Sequence, residues 1–95
     1  TVRRGGTATI RASVRPTRSQ TALVSIEVYR GRDQIFQRYF DQAALRRGHP
    51  RTFRVRWTVP ADLAPGGYDV RIGVFGPGFE GLRAWNPHAA ALRVR

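Results

Sequence analysis

The sequence of 95 residues contains no cysteine, no methionine and no lysine. The absence of cysteine excludes disulfide bonds and the thiolate ligands of most structural zinc sites, so the fold has to rest on a hydrophobic core. Apolar runs reach only three or four residues, as at Ala89–Leu92, and we therefore predict no membrane-spanning helix. The length suffices for one globular domain but not for two, which predicts a single domain over residues 1–95.

Acidic residues are also scarce, because six of them stand against seventeen arginines and give a net charge of +11. A coding bias that writes every surface cation as arginine accounts for this, and we favour that interpretation. The alternative is a positively charged surface that attracts nucleic acid, anionic lipid or acidic polysaccharide. The candidates for such an anion-binding face are the arginines at outward strand positions: Arg54, Arg56, Arg71, Arg93 and Arg95.

Helical periodicity is nearly absent, and apolar residues instead alternate with polar ones. This period of two is typical of strands with one face in water. Turn residues separate the runs, with a hairpin at 30–33, and this pattern predicts an all-β chain folded as a single antiparallel β-sandwich of about six to seven strands. The predicted strands cover residues 7–15, 22–29, 34–40, 52–59, 68–74 and 89–95.

Two segments lack a clear strand pattern. Asp41–Gly48 predicts a short helical connection, with Asp41 as its N-cap and Gly48 beyond its end. Gly76–Pro87 predicts a long Gly/Pro-rich loop, and its start matches G-x-G-x-x-G. A dinucleotide site would need a helix after that motif, and none is predicted there. In the run 34–40 the alternation does not decide which face is buried, and either choice leaves aromatic side chains on the outer side.

The segment Leu63–Tyr68 predicts a corner between the two sheets. Gly66 and Gly67 allow the chain to reverse, and the Tyr68 hydroxyl can then bond back to the upstream backbone, as in the tyrosine corner of immunoglobulin-like domains. Trp57 is in phase with the apolar residues of its strand and is predicted to lie in the core.

No arrangement of residues predicts an active site or a metal site. His49 and His88 lie in separate connections, and no two acidic residues are closer than six positions. The three serines have no nucleophile elbow around them. We therefore predict a protein that is not an enzyme and that needs no cofactor.

Phe79, Trp85 and Asn86 are the candidate ligand-binding residues. Aromatic rings in a loop can stack on a sugar ring or a base. They can also close the end of the sandwich, and we favour this second interpretation because large aromatic side chains contribute most when they are buried.

The segment Trp57–Phe79 contains the pattern W-x-V-P-x-x-L-x-x-G-x-Y, and Gly73-Val74-Phe75 and Trp85-Asn86 follow it. In these motifs the chain resembles the immunoglobulin-like or fibronectin III-like accessory modules of secreted bacterial glycoside hydrolases. Those modules commonly carry Trp where this chain has Phe79. The resemblance covers nearly the whole chain, from Ala8 to Val94.

The resemblance implies a non-catalytic module that gives structural support or binds carbohydrate weakly, with a polysaccharide or an adjacent catalytic domain as partner. It also implies an extracellular location. The chain opens Thr1-Val2-Arg3-Arg4 without Met and without the apolar segment of a signal peptide, so we expect a mature end or a piece of a longer secreted protein. Two alternatives stay open, namely an arginine-rich binder of anionic polymer and a protein-interaction module that uses a strand edge.

Overall fold

The computed structural model describes all 95 residues and contains six strands and one short 3₁₀ turn. None of its helical segments has the length and apolar character needed to cross a membrane. The elements are β1 (Thr7–Val14), β2 (Gln20–Arg30), β3 (Asp33–Leu45), β4 (Arg51–Thr58), β5 (Gly66–Gly76), the 3₁₀ turn (Pro77–Phe79) and β6 (Glu80–Val94).

The strands form two antiparallel sheets that pack against each other. One sheet pairs β1 with β4, and the other has the order β3-β2-β5-β6. The chain crosses between the sheets after β1, β3 and β4, as in immunoglobulin-like sandwiches. The predicted all-β sandwich is therefore confirmed.

The core lies between the sheets and consists of the alternating apolar residues predicted to point inward. Val24, Ile26 and Val28 from β2 meet Phe53, Val55 and Trp57 from β4 in one buried cluster. Trp57 stacks on Phe36 with ring centroids 5.4 Å apart, and Phe40 packs against Phe53 at 5.1 Å. The inner face of β3 is therefore the one that carries Phe36 and Phe40, which leaves Tyr39 on the outside.

The prediction of a helical connection at Asp41–Gly48 was wrong, because β3 continues to Leu45. A bulge interrupts its pairing with β2, and Gln42 adopts a φ of 55° there. Asp41 does not cap a helix. Its Oδ1 accepts from the backbone N–H of Gln42 (2.8 Å) and from that of Gly78 (3.1 Å), and it thereby fixes the 3₁₀ turn against β3.

The prediction of a loop at Gly76–Pro87 was also wrong, since β6 begins at Glu80 directly after the 3₁₀ turn. Gly81 lies in a bulge with a φ of 70°, and a second irregularity, between the partners Asn86 and Ala90, contains Pro87. β6 is an edge strand, where proline and bulges are tolerated because one side of the ladder is unpaired.

The predicted tyrosine corner is confirmed at the start of β5. The buried Tyr68 hydroxyl donates to the carbonyl oxygen of Ala64 at 2.6 Å and accepts from Nη1 of Arg30 at 3.2 Å. Arg30 Nη1 also donates to the carbonyl of Pro65 (3.1 Å). The corner thus satisfies backbone groups that the crossing chain would otherwise leave unpaired.

We predict that Tyr68→Phe lowers the free energy of unfolding by about 0.5–1.5 kcal/mol, because it removes one hydrogen bond of a buried hydroxyl. Urea unfolding midpoints measure the change. Tyr39→Phe is the matched control, since Tyr39 is 52% exposed and should unfold as the unmodified chain does. Equal midpoints for the two variants would contradict a stabilising corner.

Candidate functional site

The central strand β2 is buried on both of its faces. Its residues from Ala22 to Val28 are all buried, although Leu23, Ser25 and Glu27 point away from the core. We call the side of the four-stranded sheet that carries these three residues the outer face. Side chains from β3, β5, β6 and the 3₁₀ turn must therefore cover this face, and they divide it into a polar half and an aromatic half.

Glu27 lies at the centre of the polar half and is only 5% exposed. Its Oε2 accepts from the Ser25 hydroxyl (2.8 Å) and its Oε1 from the Tyr29 hydroxyl (2.6 Å). Gln37 on β3 extends the network, because its Nε2 donates to Ser25 Oγ (3.1 Å). The hydrogen bond to the Glu27 carboxylate, followed by burial, raises the pKa of the Tyr29 phenol.

Arg71 is paired with Glu27 across the ladder between β2 and β5. Its Cζ lies 4.0 Å from the centroid of the Tyr29 ring, and its Nη2 donates to the carbonyl of Gly31 (2.8 Å). Its Nε is buried and has no partner. Arg71 is therefore held in place beside a buried carboxylate and supplies the positive charge of the polar half.

Four aromatic side chains form the other half, which we call the aromatic row: Tyr39, Phe75, Phe79 and Trp85. Phe79 packs edge-on against Tyr39 (5.0 Å between centroids) and against Phe75 (5.2 Å). Phe75 is paired with the buried Leu23, and the 3₁₀ turn that carries Phe79 contacts β2. Tyr39, Phe79 and Trp85 keep much of their surface in solvent, with exposed fractions of 52%, 41% and 39%.

Gly73 allows the row to lie flat on the sheet. It pairs with Trp85, and a Cβ placed on it would lie 3.0 Å from two atoms of the Trp85 ring and 2.7 Å from Cε1 of Phe75. Tyr39, Ser25, Gly73 and Trp85 are partners in successive ladders and therefore form one line across the sheet. Two small residues thus separate two exposed rings, whose backbones are about 14 Å apart at the usual strand spacing.

The structure brings two of the three predicted ligand-binding residues, Phe79 and Trp85, onto the outer face. Asn86 faces the other side of β6, because it pairs with the inward Ile72. It lines a groove of about 170 Å³ between the sheets, and Trp85 also borders this groove. The favoured interpretation of Trp85 as a buried plug was wrong, since its ring lies on the sheet face and is 39% exposed. Its ring packs on Gly73, and this contact was not predicted from the sequence.

The predicted anion-binding arginines do not share one surface. Arg54 and Arg56 lie on the solvent side of β4, whereas Arg71 lies on the outer face of the other sheet. Arg11 on β1 is directly opposite Arg54. We call Arg11, Arg54 and Arg56 the arginine face, and neither strand that carries it contains an acidic residue.

The histidine, aspartate and glutamate side chains form no group of three that could hold a metal ion. The chain matches no family model, no curated protein and no solved structure.

We predict that Gly73→Ala destabilises the chain by about 1–3 kcal/mol, because the new methyl group displaces the Trp85 and Phe75 rings. Trp85 fluorescence should also become more accessible to acrylamide. Gly67→Ala on the same strand is the matched control, since a Cβ added there would have no heavy atom within 4 Å, and it should be neutral or stabilising. Equal midpoints and equal quenching for the two variants would contradict the packing of Trp85 on Gly73.

Proposed function

We propose that the chain is a non-catalytic accessory module that binds a polysaccharide across its aromatic row. The observation that carries this proposal is the line from Tyr39 to Trp85, in which two half-exposed rings flank small residues on a supported sheet face. Sugar rings present flat C–H surfaces that stack on such rings, and hydroxyl groups at their edges seek polar partners.

The support beneath the row favours a binding role. Phe75 lies opposite Leu23, Phe79 packs on Phe75, and the Trp85 ring lies against Gly73. The exposed rings are therefore held in place before a ligand arrives. Rigid side chains lose little conformational entropy on binding. The exposed Gln37 lies beside Tyr39 and offers an amide oxygen to a sugar hydroxyl, since its nitrogen already donates to Ser25.

A non-catalytic role agrees with the chemistry of the only buried carboxylate. Both oxygens of Glu27 accept hydrogen bonds from hydroxyl groups, and the side chain is covered. A glycosidase needs two carboxyl groups that flank a sugar bond. The association with a secreted glycoside hydrolase rests on the sequence motifs that end in Tyr68 and in Trp85-Asn86, and it stays a prediction, as does the extracellular location.

The test measures binding to xylan, β-glucan, galactomannan and dextran by affinity electrophoresis and calorimetry. We expect saturable binding to at least one of them, weakened more than tenfold by Trp85→Ala and by Tyr39→Ala. Because Trp85 is partly exposed, the variant should stay folded, which a thermal melt verifies.

Leu82→Ala is the matched control, because Leu82 is 58% exposed and pairs with Phe75 beside the row but carries no ring. If ring stacking drives binding, the Leu82→Ala protein should bind the polysaccharide with nearly unchanged affinity. Unchanged affinity of the Trp85→Ala protein for the polysaccharides that the unmodified chain binds, or no binding by the unmodified chain, would overturn the proposal. A loss shared equally by Leu82→Ala would indicate a general apolar contact, as in a protein-interaction module.

A second candidate function, the binding of an anionic polymer, is favoured by the arginine face. Arg11 and Arg54 are direct cross-strand partners, and like charges in that position are destabilising. A phosphate or sulfate chain lying along β1 and β4 would relieve this repulsion. The face is on the opposite side of the sandwich from the aromatic row, so one module could carry both sites.

Heparin and DNA chromatography tests this second function. We expect retention that falls steeply with salt and that decreases in Arg54→Ser/Arg56→Ser. Arg46→Ser/Arg47→Ser removes the same charge from the exposed turn before β4 and is the matched control. Equal losses in the two double variants would show that only the net charge matters and would remove the arginine face as a site.

A further inference from the structure

A second cavity opens at the end of the sandwich where β1 finishes and β2 begins. It has a volume of about 380 Å³, within the usual range of small-molecule sites. Its apolar lining includes Val14, Leu45 and Val74, the last two of which are buried. It is distinct from the aromatic row, because Val74 is paired with the inward Val24 while Gly73 and Phe75 point outward.

Three arginines line this cavity, and no acidic residue does. Arg15 and Arg18 come from the connection between β1 and β2, and Arg83 comes from β6. We call the cavity the arginine pocket. Three arginines beside one cavity without an acidic partner favour an anion there, and their planar donors match carboxylate, sulfate and phosphate groups.

Arg83 is held in position by neutral partners. Its Nη1 donates to Gln20 Oε1 (2.7 Å) and to the carbonyl of Thr21 (3.1 Å), which lie more than sixty residues away in the chain. Its Nη2 lies beside Gly76, where a Cβ would be 3.3 Å from it. These hydrogen bonds orient the guanidinium group without neutralising its charge, so its charge is available to a ligand.

We propose that the arginine pocket binds a small organic anion about the size of one sugar unit. The acid group lies among Arg15, Arg18 and Arg83, and the ring lies against Val14 and Leu45. The chemistry fits a carboxylate or a phosphate ester, so a uronic acid and a sugar phosphate are both suitable ligands. This site is independent of the aromatic row and of any polysaccharide bound there.

Nuclear magnetic resonance titration of the whole chain tests the proposal with three probes that share one ring: glucuronate, glucose 6-phosphate and glucose. We expect saturable shifts at Arg83 and at residues 14–18 with one or both acids, and none with glucose. A preference for one acid identifies whether the natural ligand carries a carboxylate or a phosphate. Equal shifts with glucose, or shifts that never saturate, would overturn the proposal.

Arg18→Gln and Arg83→Gln should each weaken acid binding more than tenfold. Arg18 is exposed, so its variant tests the site without disturbing the hydrogen bonds that Arg83 makes. Arg32→Gln, in the turn at the other end of β2, removes the same charge and should bind as the unmodified chain does. Equal losses in Arg32→Gln and Arg18→Gln would overturn the site. Trp85→Ala should leave acid binding unchanged, which separates this result from the outcome for polysaccharide.

Discussion

The burial of β2 on both faces is the constraint on which the rest of the structure depends. The inner face of β2 is covered by the second sheet, which buries apolar residues in the ordinary way. Its outer face carries the apolar Leu23, the hydroxyl of Ser25 and the carboxylate of Glu27, all of them buried. The leucine needs apolar neighbours, whereas the hydroxyl and the carboxylate need hydrogen-bond partners. Phe75, with Phe79 packed on it, lies over the leucine, and Tyr29 and Arg71 lie beside the carboxylate. The aromatic row and the polar network are therefore first a consequence of folding, and the surface that they leave exposed is what a ligand can use.

A second constraint is that the seventeen arginines have only six acidic residues as possible partners. Those that are fixed rest on aromatic rings or donate to neutral oxygen atoms: Arg30 on Tyr68, Arg38 on Phe40, Arg51 on Phe53 and Arg71 on Tyr29. In these positions the aromatic ring holds the guanidinium group in place. The arginine face and the arginine pocket differ, because their positive charges are gathered together without an acidic residue on the same strands or in the same lining. The arginines thus fall into two kinds, those that stack on aromatic rings and those that are grouped without acidic neighbours. Only the three-dimensional neighbours of each residue show to which kind it belongs.

Alternation along the chain was sufficient to predict the sandwich, the inward residues of β1, β2 and β4, and the corner at Tyr68. It failed where strands contain bulges, because a bulge shifts the period and brings residues such as Gly81 and Pro87 that otherwise signal a loop. Only part of the candidate site was predicted, because alternation along one strand does not show which residues of neighbouring strands lie beside it. Phe79 and Trp85 were recognised as large aromatic residues, but their neighbours Tyr39 and Gly73 come from other strands, and only ladder pairing puts them in one line. Asn86 was grouped with Trp85 because the two are adjacent in sequence, whereas adjacent residues of a strand face opposite sides.

The aromatic row and the arginine pocket also differ in their relation to the chain ends. The segment at Val2 bonds to the end of β6, with Val2 N donating to Arg93 O (2.8 Å) and Arg95 N to Val2 O (2.9 Å). Both ends therefore lie together, at the end of the sandwich opposite to the arginine pocket, in a molecule that measures 40 × 22 × 19 Å. The aromatic row runs across the strands, so a polymer bound to it would lie across the long axis of the module. The two proposed ligands would therefore occupy different parts of the module, the polymer on its outer face and the small anion at the end far from both termini.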